Sequence, residues 1–189
     1  MRTALCASLC GLALLGLGGC ATAPGVAGTL PGAADTDPAF AVSGRIAVRY
    51  DGRADSGNFS WRHVRADDNL TLETPLGQTL AQLRRDAAGV QLELADGRRY
   101  QSPAVEVLSS EVLGWELPLS GLQYWIRGVP QPGFASESAV RGESYALTQR
   151  GWQIDYPEFT GPPAVPARMV LKRQGLEIRL AIHQWNFQP

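Results

Sequence analysis

A mainly β fold, a single antiparallel sheet interrupted once by two helices, is the class this sequence predicts. Three observations carry it. From Phe40 to Trp185, apolar residues alternate with polar ones over most of the chain, which is the period of half-buried strands. Short turn signals join these runs: Asp51-Gly52, Asp96-Gly97, Arg150-Gly151 and Gln174-Gly175. Connections that short require antiparallel neighbours. Between Ser102 and Gly128 the apolar spacing changes to that of helices. Nine or more strands are expected, a single sheet of that size curls, and helices inserted midway cover its concave side.

The first strand is set by Phe40, Val42, Ile46, Val48 and Tyr50 on one parity, with Gly44 at a bend or bulge. Phe59, Trp61 and His63 then alternate with Asn58, Ser60 and Arg62. In the stretch Asn69 to Leu83, Leu70 and Leu72 alternate on one side, and Thr79, Ala81 and Leu83 on the other. Between them lies Thr74-Pro75-Leu76-Gly77. Pro75 cannot extend a ladder and Gly77 permits positive φ, so this is a hairpin. Its tip carries a leucine where Asn, Asp or Ser is usual. Pattern alone leaves two readings of Leu76: it folds back onto the sheet, or it is displayed to meet something apolar such as a membrane. Val90, Leu92 and Leu94 form the next strand, which returns through Arg99-Tyr100-Gln101.

Ser102 is expected as an N-cap, with Pro103 at the first helical position. Val105, Leu108, Val112 and Leu113 fall on one face, and Gly114 stops the helix. In a second short helix Leu119, Leu122 and Ile126 share a face that Tyr124 and Trp125 widen, and Gly128 ends it. Strands resume with Tyr145 and Leu147, then Trp152, Ile154 and Tyr156. A proline-rich loop is expected from Pro157 to Pro166. Met169 and Leu171 follow, and then Leu176, Ile178, Leu180 and Ile182 up to Trp185.

Composition narrows the function classes. The 189 residues suit one domain plus a short extra segment. A net charge of −1 without a basic cluster argues against nucleic acid. Cysteines occur only at positions 6, 10 and 20, so the body holds no disulfide or thiolate metal site. The two histidines, His63 and His183, lie in no nucleophile or metal-ligand spacing. No catalytic residue, metal or cofactor is therefore expected. Glu106, Glu111 and Glu116 read as a solvated face. Arg84-Arg85 and Arg98-Arg99 could greet lipid phosphates, although arginines beside turns are common.

The N-terminus reads as an export signal. Met1-Arg2 is a positive start, and Ala4 to Gly19 is uncharged, too short and too small-sided for a comfortable membrane span. Leu17-Gly18-Gly19-Cys20 resembles a bacterial lipobox, although Gly18 is a less usual residue there. The resemblance implies a signal peptide over residues 1–19 and lipidation of Cys20. Ala21, in place of the aspartate that retains lipoproteins at the inner membrane, implies the outer membrane of a Gram-negative bacterium, facing the periplasm. Residues 20–38 form a flexible tether rich in Ala, Gly, Pro and Thr, with a mean reach of about 20–25 Å.

Taken in order, several stretches resemble the LolB family of outer-membrane lipoprotein receptors. They are Gly44-Arg45-Ile46-Ala47-Val48, Gly57-Asn58-Phe59-Ser60-Trp61, Pro75-Leu76-Gly77 and Asp96-Gly97-Arg98-Arg99-Tyr100. The run from Pro118 to Gly128, that from Gln149 to Tyr156, and the closing strand to Trp185 complete the match. The resemblance covers residues 39–189 as one lipoprotein-binding domain. It implies an incomplete, half-open antiparallel β-barrel wrapped around helices that line and close an apolar cavity, a fold similar to that of the carrier LolA. It implies a monomer that takes lipoproteins from LolA and releases them into the outer membrane without a nucleotide. It also implies that the Pro75-Leu76-Gly77 loop protrudes to contact the membrane.

The acyl-chain cavity expected from this resemblance is lined on the strands by Ile46, Val48, Trp61, Leu70, Leu72 and Leu92. Tyr145, Trp152, Ile154 and Leu180 continue it, and the helices contribute Leu119, Leu122, Trp125 and Ile126. The tryptophans read equally as ordinary core. The physics is consistent with such a receptor. Each methylene exposed to water costs about 0.8 kcal/mol, so three acyl chains cannot cross water freely. They must slide from one apolar site to the next, down a gradient of affinity. The alternative reading is a structural envelope lipoprotein, a docking scaffold with a solid core.

Overall fold

The computed structural model describes residues 38–142 and 144–189. The signal, Cys20 and almost all of the tether lie outside the described residues. Within them are eleven strands, two helices and a single sheet. The strands are β1 (Phe40–Tyr50), β2 (Arg53–Val64), β3 (Asp67–Glu73), β4 (Thr79–Asp86), β5 (Gly89–Leu94) and β6 (Arg99–Ser102), and then, after the helices, β7 (Ser136–Arg141), β8 (Ser144–Gln149), β9 (Trp152–Thr160), β10 (Val165–Arg173) and β11 (Leu176–Asn186). The helices are α1 (Val105–Leu113) and α2 (Leu119–Trp125).

The sheet order is β6-β5-β4-β3-β2-β1-β11-β10-β9-β8-β7, antiparallel throughout. Every sequential pair of strands on either side of the helices is a hairpin, and β1 against β11 joins the two halves. The two free edges, β6 and β7, are consecutive in the chain. Residues 103–135 must therefore cross from one edge to the other. They do so over the concave face, so the helices occupy the hollow of an unclosed barrel. The inward rows are the alternating residues that the sequence marks. Phe40, Val42, Val48, Phe59, Trp61, Leu70, Leu83 and Leu92 are buried, and from the other half so are Leu147, Ile154, Leu171, Ile178 and Leu180. At Gly44 the β1–β11 register shifts, and an added Cβ would lie 2.1 Å from the Ala181 carbonyl oxygen. The expected bend is a bulge that only glycine fits.

Three expectations need correction. Strand β7 has no counterpart among the expected strands. All its described side chains are exposed, so it carries no alternation, and it exists because β8 offers it a ladder. The proline-rich loop is shorter than its composition suggests. Pro157 lies inside β9 and Pro166 inside β10, where register shifts around Pro166 and Arg168 accommodate the missing donor. Helix α1 begins two residues later than expected, with Ala104 at the N-cap. Ser102 ends β6, and its Oγ accepts the Ala104 N–H at 3.3 Å. The stop is as expected: Gly114 is left-handed at φ 82°.

Candidate functional site: an apolar cavity beneath a displayed leucine

The β3–β4 hairpin closes on Thr74. The Thr74 N–H donates to the Gln78 carbonyl at 2.8 Å, and Gly77 N–H to the Thr74 carbonyl at 2.9 Å. Gln78 N–H donates to Thr74 Oγ1 at 3.1 Å. Asn58 Nδ2 on β2 donates to the same Thr74 carbonyl at 3.2 Å. Beside it, a Cβ on Gly57 would stand 2.0 Å from the Glu73 carbonyl oxygen. The absence of that carbon lets β2 lie against the hairpin base. Gly77, at φ 84°, completes the turn. On this braced tip Pro75, Leu76 and Gly77 are all exposed, and Leu76 is 90% exposed. Its side chain does not fold back onto the sheet.

Beneath the hairpin base is a cavity of about 190 Å³. Its apolar wall is Ile46, Val48, Tyr50, Leu72, Leu80, Ala81, Leu113 and Trp115, and Asp55, Ser56, Asn58 and Glu73 form a polar edge. Leu80 is the residue that sequence reasoning missed. Strict alternation assigns it to the outer face with Gln82 and Arg84. In the structure Leu72 faces Ala81 while Glu73 faces Thr79, so Leu80 is the extra residue of a bulge. The bulge re-aims its side chain to the cavity mouth, where it is 46% exposed. No composition signal marks that bulge.

Of the expected cavity residues, Ile46, Val48 and Leu72 come together in this wall. Trp61, Leu70, Leu92 and Leu180 pack in the sheet's inner core. Leu119, Leu122, Trp125 and Ile126 are buried in the same core cluster as Trp152 and Ile154, with the Trp125 and Trp152 rings 6.3 Å apart. Tyr145 is half-buried and stacks on Tyr156.

Polar side chains pin the helices onto the hollow. Glu106, expected to be solvated, is partly buried instead. Its Oε1 accepts the Ser120 N–H at 3.1 Å and the Ser120 hydroxyl at 2.6 Å, capping the first turn of α2 from α1. Glu116 likewise pairs with Arg173, whose guanidinium lies 4.6 Å from the centre of the Trp152 ring. Arg85 turns inward, donates to Gln123 on α2 at 2.7 Å and pairs with Asp68. Asp68 Oδ1 also takes Trp61 Nε1 at 2.7 Å and lies 2.8 Å from His63 Nδ1. His63 and Asp68 are 1% and 0% exposed, so the centre of this network is buried inside the sheet, while Arg85 reaches it from a partly exposed position. Gln149 accepts from Trp125 Nε1 at 2.8 Å. Burial holds the Tyr156 phenol well above its usual range. It stays protonated and donates to the Trp125 carbonyl at 2.8 Å.

Among the described residues no helix is long and apolar enough to cross a membrane. The model of the family described as Outer membrane lipoprotein LolB matches residues 38–185. A protein named outer-membrane lipoprotein LolB from Chromobacterium violaceum is 40% identical over 151 residues, 79% of this chain and 82% of its own length. A protein of the same name from Thiobacillus denitrificans is 38% identical over 178 residues, 92% of this chain and 93% of its own. A solved DUF1329 family protein from Desulfovibrio piger matches in fold alone, at a TM-score of 0.53 and 9% identity over 82% of this chain and 87% of that one.

Proposed function

The chain belongs to the LolB family of outer-membrane lipoproteins, and on that footing we propose that it accepts lipoproteins from the periplasmic carrier LolA and incorporates them into the outer membrane. It acts as a monomer, held at the periplasmic face by lipidated Cys20, with residues 20–38 as the tether. The signal over residues 1–19 is removed. Residues 39–189 form the binding domain.

The observation that supports this reading best is an apolar cavity at the base of the hairpin whose tip displays Leu76. At about 190 Å³ the cavity is smaller than the roughly 300–1,000 Å³ of a ligand pocket, so its wall must move to admit an acyl chain. Acyl chains enter between Leu72 and Leu80 on one side and Leu113 and Trp115 on the other. Those last two residues end α1 and begin its link to α2. The link is held by exchangeable polar contacts, and it is the wall that yields. The packed residues Leu119, Leu122, Trp125 and Ile126 then become lining. No covalent step is involved, since the chains only pass between apolar surroundings. Leu76 entering the bilayer gains about 1.5–3 kcal/mol, too little to anchor a protein but enough to aim the cavity mouth at the membrane.

A two-stage assay tests this: transfer from the carrier in solution, then release into liposomes. Leu76→Glu should fold normally, take cargo, and release it poorly. Loss of both stages together, or of thermal stability, would show that Leu76 supports the core instead.

A further inference from the structure

We propose that the outer face of β1, β11 and β10, beside the hairpin tip, is a subsite for the phosphate of a bilayer phospholipid headgroup. The inference rests on the reading of Leu76 as a membrane contact, and it explains what sets the angle of that contact. On this face lies a groove of about 470 Å³, which Pro75 overhangs. Two outward rows of the sheet floor it. In one, Arg45 on β1, Ala181 on β11 and Arg168 on β10 stand side by side. In the next, Ala47 pairs with Arg179. Strands lie about 4.8 Å apart and same-face residues about 7 Å apart. The three arginines therefore mark a triangle with sides of roughly 8–10 Å, and the two alanines leave the space between them empty. Guanidinium groups in such an array suit a phosphate, which they can grip bidentately.

The charges are available. Arg168 pairs with Glu158 at 2.9 Å and Arg179 with Glu177 at 2.7 Å, and all four side chains are partly or largely exposed. Exposed pairs of that kind are weak and exchange readily for another anion. Arg45 has no carboxylate partner among the described residues. The groove is also coupled to the tip. Asn58, which lines it, donates to Thr74 at the hairpin base. With Leu76 in the acyl region, the groove lies at headgroup level. An array of charges there fixes orientation, which a single leucine cannot do.

The test uses the full chain carrying Cys20→Ala, so that the anchor does not mask weak binding. Its partition onto phosphatidylglycerol vesicles is compared with that onto vesicles of an uncharged, phosphate-free glycosyl diacylglycerol. Arg45→Gln with Arg179→Gln should lower partition onto the phosphate-bearing vesicles about fivefold per arginine at low salt. The loss should shrink as salt rises, and partition onto the phosphate-free vesicles should be unchanged. Leu76→Glu should lower partition onto both, which separates failure of the leucine reading from failure of this one. Unchanged partition of the double variant overturns the proposal, as does an equal loss on both kinds of vesicle. Normal vesicle binding with impaired uptake from the carrier also overturns it, because the groove would then be a protein-docking face.

Discussion

Leu76 and Leu80 sit on one hairpin, and their exposures assign them different work. Leu76 is almost wholly exposed, whereas Leu80 forms the lip of the cavity. Leu80→Gln should therefore leave the thermal midpoint nearly unchanged, yet weaken binding of an apolar fluorescent probe by several-fold. Titrating the probe against wild type and variant checks this, and equal affinities would remove Leu80 from the mouth. Gly57 bears on the same hairpin from below. In Gly57→Ala the new methyl must push the Glu73 carbonyl away, at about 1–3 kcal/mol in urea unfolding, with loosening of the tip. Tyr156 provides a pH-dependent test. Its phenol titrates higher in the folded chain than in the unfolded one. Its contribution is thus complete below the ordinary tyrosine range near pH 10 and is lost as pH rises toward the folded value. Tyr156→Phe should cost about 1 kcal/mol at neutral pH through the lost hydrogen bond. It should also flatten the alkaline part of the stability curve; the same slope between pH 9 and 11 in both proteins would contradict that account.

At the level of elements, α2 is the piece that depends on others. A helix of seven residues cannot persist alone in water. It is held by burial of Leu119, Leu122 and Trp125 and by partners outside itself: Glu106, Arg85, Gln149 and Tyr156. Glu106→Ala removes the acceptor for Ser120 and should cost about 1–2 kcal/mol, the scale of a lost cap. Amide exchange should speed up in residues 119–126 before it does in β1, β11 or β10. If exchange rises uniformly across the domain instead, α2 is not a separately opening unit. Polar pins suit a cover that must yield, because each contact can be replaced by water, whereas the strand ladders cannot be opened one bond at a time.

For the whole molecule, the arrangement follows from one topological fact: β6 and β7 are neighbours in the chain and opposite edges of the sheet. The chain between them has to cross the hollow, so an open barrel acquires its own filling. The proposed tether precedes the described fold, whose first strand begins at Phe40. Cys20→Ala should accordingly yield a protein released from outer membranes by a high-salt wash, with an unchanged thermal midpoint; retention after the wash would refute anchoring at Cys20. Much of the plan is local and was legible in residue order. Alternation and turn signals together marked ten of the eleven strands, glycine marked the Gly44 bulge and the end of α1, and Leu76 stood out as a leucine in a turn. The sequence by itself determined the fold class and the β3–β4 hairpin, since period and turn chemistry act between near neighbours, but it left open whether Leu76 folds back, and the structure decided that. Tertiary structure alone decided that Leu80 turns to the cavity, that Glu106 and Glu116 serve as pins, and that β7 is a strand at all. Each of these depends on a register shift or a partner supplied by a distant segment, and residue periodicity carries no information about either.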